Sequence, residues 1–155
     1  MRSVLAVFML LFCASAMALE KGERLLPWTL LDQFDKAYTL DQQARILLVA
    51  RNMTGAKLFK AALEEKPKGF LEARQAVFVA DVSRMPAVIS TLFAVPAMRD
   101  YNYRVLLDSQ SRVASRYPAA EDQVLWLDID RGVLRDSRTF TDAQALRQAL
   151  EQAQQ

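Results

Sequence analysis

Two continuous apolar runs, separated by one amphipathic stretch, constrain the fold of this chain more than any other feature. The runs occupy residues 46–50 and 76–80. A short apolar run of this kind is typical of a β-strand that is buried on both faces of a sheet. Between the runs, apolar residues recur at helical spacing at Leu58, Phe59, Ala62 and Leu63. The order strand, helix, strand predicts an α/β arrangement.

The remaining elements extend this pattern. Residues 30–40 are expected to form two extended pieces around a polar turn, and residues 103–108 a third strand. Residues 124–128 are expected to form a fourth strand, with a hairpin partner at residues 133–135. A capping box at Thr141 and Gln144 is expected to open a last helix, which buries Leu146 and Leu150. The sequence therefore predicts one α/β domain.

Two residue types are nearly missing and exclude common catalytic chemistry. The chain of 155 residues has no histidine and a single cysteine, Cys13. A Ser-His-Asp triad, an imidazole metal ligand, an internal disulfide and a dithiol redox centre are therefore excluded. The formal net charge is +2, with 52% hydrophobic residues. This charge is too small to indicate a nucleic-acid partner, and the apolar fraction is sufficient for a core.

The first 18 residues resemble a secretory signal peptide. Arg2 precedes an apolar run over residues 4–12, and Ala16-Met17-Ala18 forms an A-x-A cleavage site. The alternative is an uncleaved membrane anchor, but a spanning helix needs about 20 apolar residues. Lipidation at Cys13 is disfavoured because bulky Phe12 precedes it. Cleavage between Ala18 and Leu19 predicts a periplasmic or secreted protein, not membrane-embedded, that contains neither cysteine nor histidine.

Four local phrases, in order, carry a resemblance to a known family. They lie at residues 22–40, 103–117, 125–134 and 143–150, and include "T-L-L-D-Q" and "W-L-D-I-D-R-G-V-L". Together they resemble the thioredoxin-like superfamily in its peroxiredoxin and extracytoplasmic thioredoxin branch. The resemblance implies a single domain over residues 19–155, with a central mixed β-sheet flanked by helices. Small periplasmic proteins of the YtfJ type, which lack the active-site cysteines, are the more specific match.

The chain departs from that family at its redox site. The family register places Met53 and Ala56 at the two positions of the C-x-x-C motif, before Lys57. Neither side chain forms a thiolate, so the nucleophile of thiol-disulfide exchange is missing. The family's cis-proline also has no counterpart, because Glu121, Asp122 and Gln123 occupy that neighbourhood. The sequence therefore predicts a protein that is neither a thiol-disulfide oxidoreductase nor a peroxidase.

Polar residues between the first buried strand and the following helix are candidates for a ligand site. They are Arg51, Asn52, Thr54 and Lys57. Open α/β sheets bind ligands at the ends of their strands, and a helix N-terminus offers unpaired N–H groups to an anion. A solvated loop is the simpler interpretation. Asp128, Asp130 and Asp136 are not expected to bind a metal, because successive side chains on a hairpin diverge.

The segment from Met85 to Met98 is the least polar part of the chain after residue 18. It predicts a helix that Pro86 opens and Pro96 ends. A helix that is apolar all round is usually buried, and burial is the favoured interpretation. The alternative is a surface for a protein partner or a second copy. The candidate residues of this surface are Met85, Ile89, Leu92 and Phe93.

Two functional hypotheses follow. The first is an exported thioredoxin-like protein without thiol chemistry that binds a protein partner or small ligand. The second is an enzyme or cofactor-binding protein that uses the strand-end cleft for other chemistry. No cofactor, metal or nucleic-acid partner is predicted. Exposure of the segment from Met85 to Met98 favours the first hypothesis, and a deep pocket at Arg51 to Lys57 favours the second.

Overall fold

A computed structural model describes residues 19–153 of the chain. The predicted signal peptide, residues 1–18, lies outside the described residues. The chain first forms a hairpin of β1 (Thr29–Asp32) and β2 (Ala37–Thr39), as the sequence predicts. The Asp32 carboxylate closes the turn by accepting the backbone N–H groups of Phe34 and Lys36 at 2.8 and 3.0 Å.

The two apolar runs form adjacent parallel strands, β3 (Ile46–Ala50) and β4 (Ala76–Asp81). All five residues of β3 are buried, in agreement with the sequence pattern. Helix α1 (Met53–Leu63) and a 3-10 turn (Glu72–Arg74) connect them. Phe59 from α1 stacks on Phe78 from β4, with ring centroids 3.7 Å apart.

The second half of the chain completes the sheet. It contributes β5 (Leu106–Asp108), β6 (Val124–Asp130), β7 (Val133–Phe140) and helix α4 (Ala143–Gln152). The strand order is β2-β1-β5-β4-β3-β6-β7. Strand β4 runs parallel to β3 and β5, and the other pairs are antiparallel. The expected α/β domain with a mixed central sheet is confirmed.

Both faces of the sheet are covered by core. On one face, α1 and α4 bury Phe59, Leu146 and Leu150 against the strands. On the other face, the opening segment and the connection after β5 close the core, where Trp28 Nε1 donates to Tyr117 Oη at 2.7 Å. None of the helices formed by residues 19–153 is long and apolar enough to cross a bilayer.

Two expectations about helix boundaries are wrong. Asp142, and not Thr141, caps α4, because its carboxylate accepts the Ala145 N–H at 3.0 Å. Pro96 does not end the helix that Pro86 opens. A proline collides with the carbonyl four residues before it in a regular α-helix. Here a wider π turn precedes it, which allows the helix to continue.

That helix has three parts: α2 (Ala87–Ile89), a π turn (Ser90–Ala94) and α3 (Val95–Met98). The Val95 N–H reaches back five residues to the Ser90 carbonyl, as a π turn requires. The three parts follow one another without interruption and are called the α2–α3 helix below.

Candidate functional site

We use the name strand-end loop for residues 51–57, which comprise the connection from β3 and the first turn of α1. Asn52 has extended backbone angles and caps α1, because its Oδ1 accepts the Gly55 N–H at 3.0 Å. Asparagine is well suited to this position, since a short side-chain oxygen reaches the unpaired N–H groups of the first turn. Asn52 is therefore engaged by its own helix.

The same asparagine also holds the loop that precedes β6. Its Nδ2 donates to Asp122 Oδ1 at 2.8 Å, and the Asp122 N–H donates back to Asn52 Oδ1 at 3.1 Å. Asp122 has a left-handed backbone with φ of 63°, which lets its N–H and carboxylate face the same partner. This reciprocal pair fixes the loop over the first turn of α1.

Gly55 brings the two backbones into direct contact. A Cβ atom at this position would lie 2.5 Å from the Gln123 carbonyl oxygen and 3.3 Å from the Ala50 side chain. A glycine is required because no side-chain atom fits between α1 and the loop. The space beside the N-terminus of α1 is therefore filled by the chain itself.

A second set of polar contacts lies at the end of β4. The Asp81 carboxylate accepts Arg51 Nε at 3.3 Å, Ser111 Oγ at 2.7 Å and the Ser83 N–H at 3.0 Å. The Asp81 side chain is only 3% exposed. Burial raises the pKa of Asp81, but hydrogen bonds from Ser83 and Ser111 and the charge of Arg51 outweigh it and lower the pKa.

Two sets of hydrogen-bonded residues, one around Asp81 and one around Asn52, are together called the strand-end cluster: Arg51, Asn52, Asp81, Ser111 and Asp122. Arg84, in the loop after β4, forms an exposed ion pair with Glu121, which directly precedes Asp122 in the loop before β6. In the cluster, the polar groups of Arg51 and Asn52 bond to neighbouring side chains and backbone. These groups are therefore engaged in hydrogen bonds within the protein and are not free to bind a ligand.

The structure separates the four predicted ligand-site residues into two groups. Arg51 and Asn52 lie in the strand-end cluster, whereas Thr54 and Lys57 are exposed on α1. Lys57 lines an open cavity of about 720 Å³ next to Lys60 and Tyr101. Sequence reasoning missed Asp81, Ser111 and Asp122. For Asp81 a signal existed in the sequence, because it is the polar residue that ends the second apolar run.

Met53 and Ala56 lie in the first turn of α1, where the family register places them. Met53 is exposed and Ala56 is half-buried. Within the described part of the chain no peptide bond is cis, including those of the loop at Glu121 to Gln123 that faces this turn. The assignment of Met53 and Ala56 as former redox positions stays a prediction.

The α2–α3 helix exposes its apolar residues, and the favoured expectation of burial is wrong. We call four of them the α2–α3 surface; their exposed fractions are 64% for Val88, 45% for Ile89, 62% for Leu92 and 64% for Phe93. Only Ala94 and Met98 pack against the core. A single helix has one face to bury against a sheet, and within residues 19–153 no other layer covers its outer side. Met85, the remaining candidate, is half-buried.

A groove runs beside the α2–α3 helix. It has a volume of about 620 Å³, and its walls include Thr91 and Val95 from the helix and Leu31 and Leu107 from β1 and β5. Leu31 is half exposed, and so is Phe34 in the adjacent turn. The apolar surface of this region therefore extends from the helix towards the sheet.

The three acids around the last hairpin each pair with basic or indole groups. Trp126 Nε1 donates to Asp128 at 2.8 Å, Arg135 pairs with Asp130 at 3.1 Å, and Lys21 pairs with Asp136 at 2.9 Å. Among residues 19–153, no group of three or more acidic, histidine or cysteine side chains could hold a metal ion.

No model of a known protein family matches this chain, and no curated protein sequence matches it either. Solved structures share its fold. Peroxidoxin BcpB from Mycobacterium tuberculosis has a TM-score of 0.59 and 16% identity, covering 87% of this chain and 96% of that chain. The mitochondrial 2-cys peroxiredoxin from Plasmodium falciparum has a TM-score of 0.54 and 14% identity, covering 86% of this chain and 92% of that chain. A thio-disulfide isomerase from Thermus thermophilus has a TM-score of 0.53 and 23% identity, covering 87% of this chain and 97% of that chain.

These similarities establish the fold. The sheet, its flanking helices and its single domain are those of thioredoxin-like proteins, as the sequence resemblance implies. Because fold does not determine function, the activity of each neighbour belongs to that neighbour.

Proposed function

We propose that this chain is an exported thioredoxin-like protein that acts by binding a protein partner, without thiol redox chemistry. The observation that carries the proposal is the exposure of the α2–α3 surface. Val88 and Leu92 lie one helical turn apart, as do Ile89 and Phe93, so the four side chains are neighbours. A contiguous group of large apolar side chains exposed on a protein surface is a candidate interaction site.

The proposal of no thiol chemistry depends on composition. From Leu19 onward the chain has no cysteine, and the family resemblance assigns Met53 and Ala56 to the redox positions. Removal of residues 1–18 would leave a protein without any thiolate nucleophile. Export is supported by the three-part pattern of that segment.

A small-ligand site or non-thiol enzyme at the strand-end loop ranks second. Its best-placed residues, Arg51 and Asn52, already bond to Asp81, Gly55 and Asp122. A ligand would have to displace these contacts, at a cost comparable to what it gains. The apolar side chains of the α2–α3 surface have no such internal competitors.

The test is a crosslinked pull-down from a periplasmic extract. The purified chain is compared with Leu92→Glu/Phe93→Glu and with the control Thr54→Ala/Lys57→Ala. We expect a defined crosslinked product that the first variant loses and the control keeps. A product that depends only on Thr54 and Lys57 would move the function to the strand-end loop, and no product from any chain would contradict the proposal. A crosslink to a second copy would identify the partner as the chain itself.

Two further measurements test the remaining parts of the proposal. Intact mass from a periplasmic fraction should correspond to a chain that begins at Leu19, and a mass that includes Cys13 would contradict export by cleavage. Insulin reduction with dithiothreitol and peroxide turnover should not exceed a control without protein. Turnover above that control would contradict the absence of thiol chemistry.

A further inference from the structure

A small cavity lies at the end of β4 opposite the strand-end cluster. Its volume is about 170 Å³, and Ala76, Val77 and Phe78 from the start of β4 form part of its lining. Strand β5 pairs only with the second half of β4, from Val79 to Asp81. The first half of β4 has no β5 partner there, and the cavity opens beside it.

The inner wall of this cavity is apolar. Leu71, Ala76, Phe78 and Ala44 are all buried and line it together with the ring of Tyr38. Burial raises the pKa of Tyr38 to about 12, so its hydroxyl stays neutral at physiological pH. An apolar cavity of about 150 Å³ can hold one benzene ring. The space therefore suits a single ring or a short branched chain.

The charged residues that line the cavity are two acids, Asp41 and Glu72, and one base, Arg104. Arg104 lines the cavity, but its guanidinium pairs with the buried Asp32 carboxylate, Nε to Oδ2, at 3.5 Å. Asp41 is held in place by the backbone N–H groups of Gln43 and Ala44, at 2.8 and 3.2 Å. Glu72, the other acid, has no hydrogen-bond or ion-pair partner for its carboxylate within residues 19–153. Two carboxylates therefore face a cavity whose only cation is already neutralised.

We propose that this cavity binds a small organic cation, with a primary ammonium group at Glu72 and Asp41 and one apolar ring between Tyr38 and Phe78. The ammonium supplies hydrogen-bond donors to the Glu72 carboxylate and to Asp41 Oδ2, because both backbone N–H groups of the Asp41 turn bond to its Oδ1. The proposal uses different residues from the proposed protein-binding function and does not depend on it.

The test compares three ligands of the same shape and different charge. 2-Phenylethylamine, neutral 2-phenylethanol and anionic 3-phenylpropionate are titrated into the purified protein, followed by calorimetry and by amide NMR shifts. We expect saturable binding of the amine, with the largest shifts at Tyr38, Glu72 and Phe78, weaker binding of the alcohol and none of the acid. Equal affinity of amine and alcohol, shifts at other residues, or no saturation by any ligand would overturn the proposal.

Three variants identify the charges involved. Glu72→Gln should weaken amine binding roughly tenfold, because a charged hydrogen-bond acceptor is lost. Asp41→Asn should weaken amine binding less than Glu72→Gln does. The asparagine keeps a side-chain oxygen that can accept the backbone N–H groups of the turn. Glu20→Gln, an exposed acid outside the cavity, should bind the amine like the parent chain. An unchanged affinity in both cavity variants would contradict the assigned ammonium position.

Discussion

The strand-end cluster and the α2–α3 surface differ in whether their side chains have partners within the protein. At the strand end, Asn52 and Asp81 make three hydrogen bonds each, and Gly55 leaves no room beside the loop. On the α2–α3 surface, large apolar side chains face outward. The polar groups at the strand end therefore have partners within the chain, whereas the apolar side chains on the outer side of the α2–α3 helix have none within residues 19–153.

This difference indicates where to look for function in a chain that has no histidine and no cysteine after residue 18. Polar residues at a strand end are poor indicators of a ligand site when they bond to one another. Exposed apolar residues are better indicators, because leaving them in water has no structural benefit.

Gly55→Ala should have the largest effect on stability. The new Cβ would meet the Gln123 carbonyl at 2.5 Å, and a backbone group cannot move aside as a flexible side chain can. We expect the free energy of unfolding to fall by about 2 to 3 kcal/mol in urea denaturation. Thr54→Ala, an exposed neighbour in the same turn, should change it by less than about 0.5 kcal/mol. Similar changes in the free energy of unfolding for the two variants would show that the loop before β6 does not contact α1 at Gly55.

Asn52→Ala should have the next largest effect. It removes a helix cap and both bonds to Asp122, so we expect a loss of about 2 kcal/mol. Asp142→Ala is the matched control, because Asp142 caps α4 through a single bond to Ala145 and should cost about 1 kcal/mol. Equal losses in thermal or urea unfolding would mean that the contact with the loop contributes nothing.

Asp81→Asn should change how stability depends on pH. The folded pKa of Asp81 lies below its ordinary value of 3.8. The carboxylate therefore stabilises the fold above this value, and the contribution is lost as the pH falls through the folded pKa. The parent chain should be more stable than Asp81→Asn at neutral pH, and the two should converge in acid. Asp100→Asn, at an exposed acid, should follow the parent at every pH; parallel curves for Asp81→Asn and parent would contradict the assignment.

Substitutions on the α2–α3 surface should have the smallest effect. Leu92→Gln and Phe93→Gln should each change the free energy of unfolding by no more than about 0.5 kcal/mol, because both side chains are already in water. Met98→Ala, on the buried side of the same helix, should cost about 2 kcal/mol or more. A large loss at Leu92 would show that the surface is covered within the chain.

The sheet could be predicted from the sequence because burial on both faces leaves a local mark. The five apolar residues of β3, all of them buried, show it directly. The exposure of the α2–α3 helix could not be predicted, because it depends on whether another layer covers an apolar helix. The end of that helix was missed for a related reason. The π turn that accommodates Pro96 involves backbone geometry that residue type alone does not specify.

The strand-end cluster was only half predictable. Arg51 and Asn52 could be placed at a strand end by the local pattern. Their partners lie far away along the chain, as Asp122 is 70 residues from Asn52. No periodicity or motif links such positions, and only the folded sheet brings them together. The sequence therefore indicated the location of the cluster but not that its groups bond to one another.

The most direct test of the central claim places a photo-crosslinker at one position in each region. A crosslinking amino acid at Phe93 samples the α2–α3 surface, and one at Thr54 samples the strand-end loop, in cells that export the chain. Both positions are exposed, so reagent access is matched. We expect a defined protein adduct from position 93 and none from position 54. An adduct from position 54 alone, or none from either position, would contradict a partner-binding role for the α2–α3 surface.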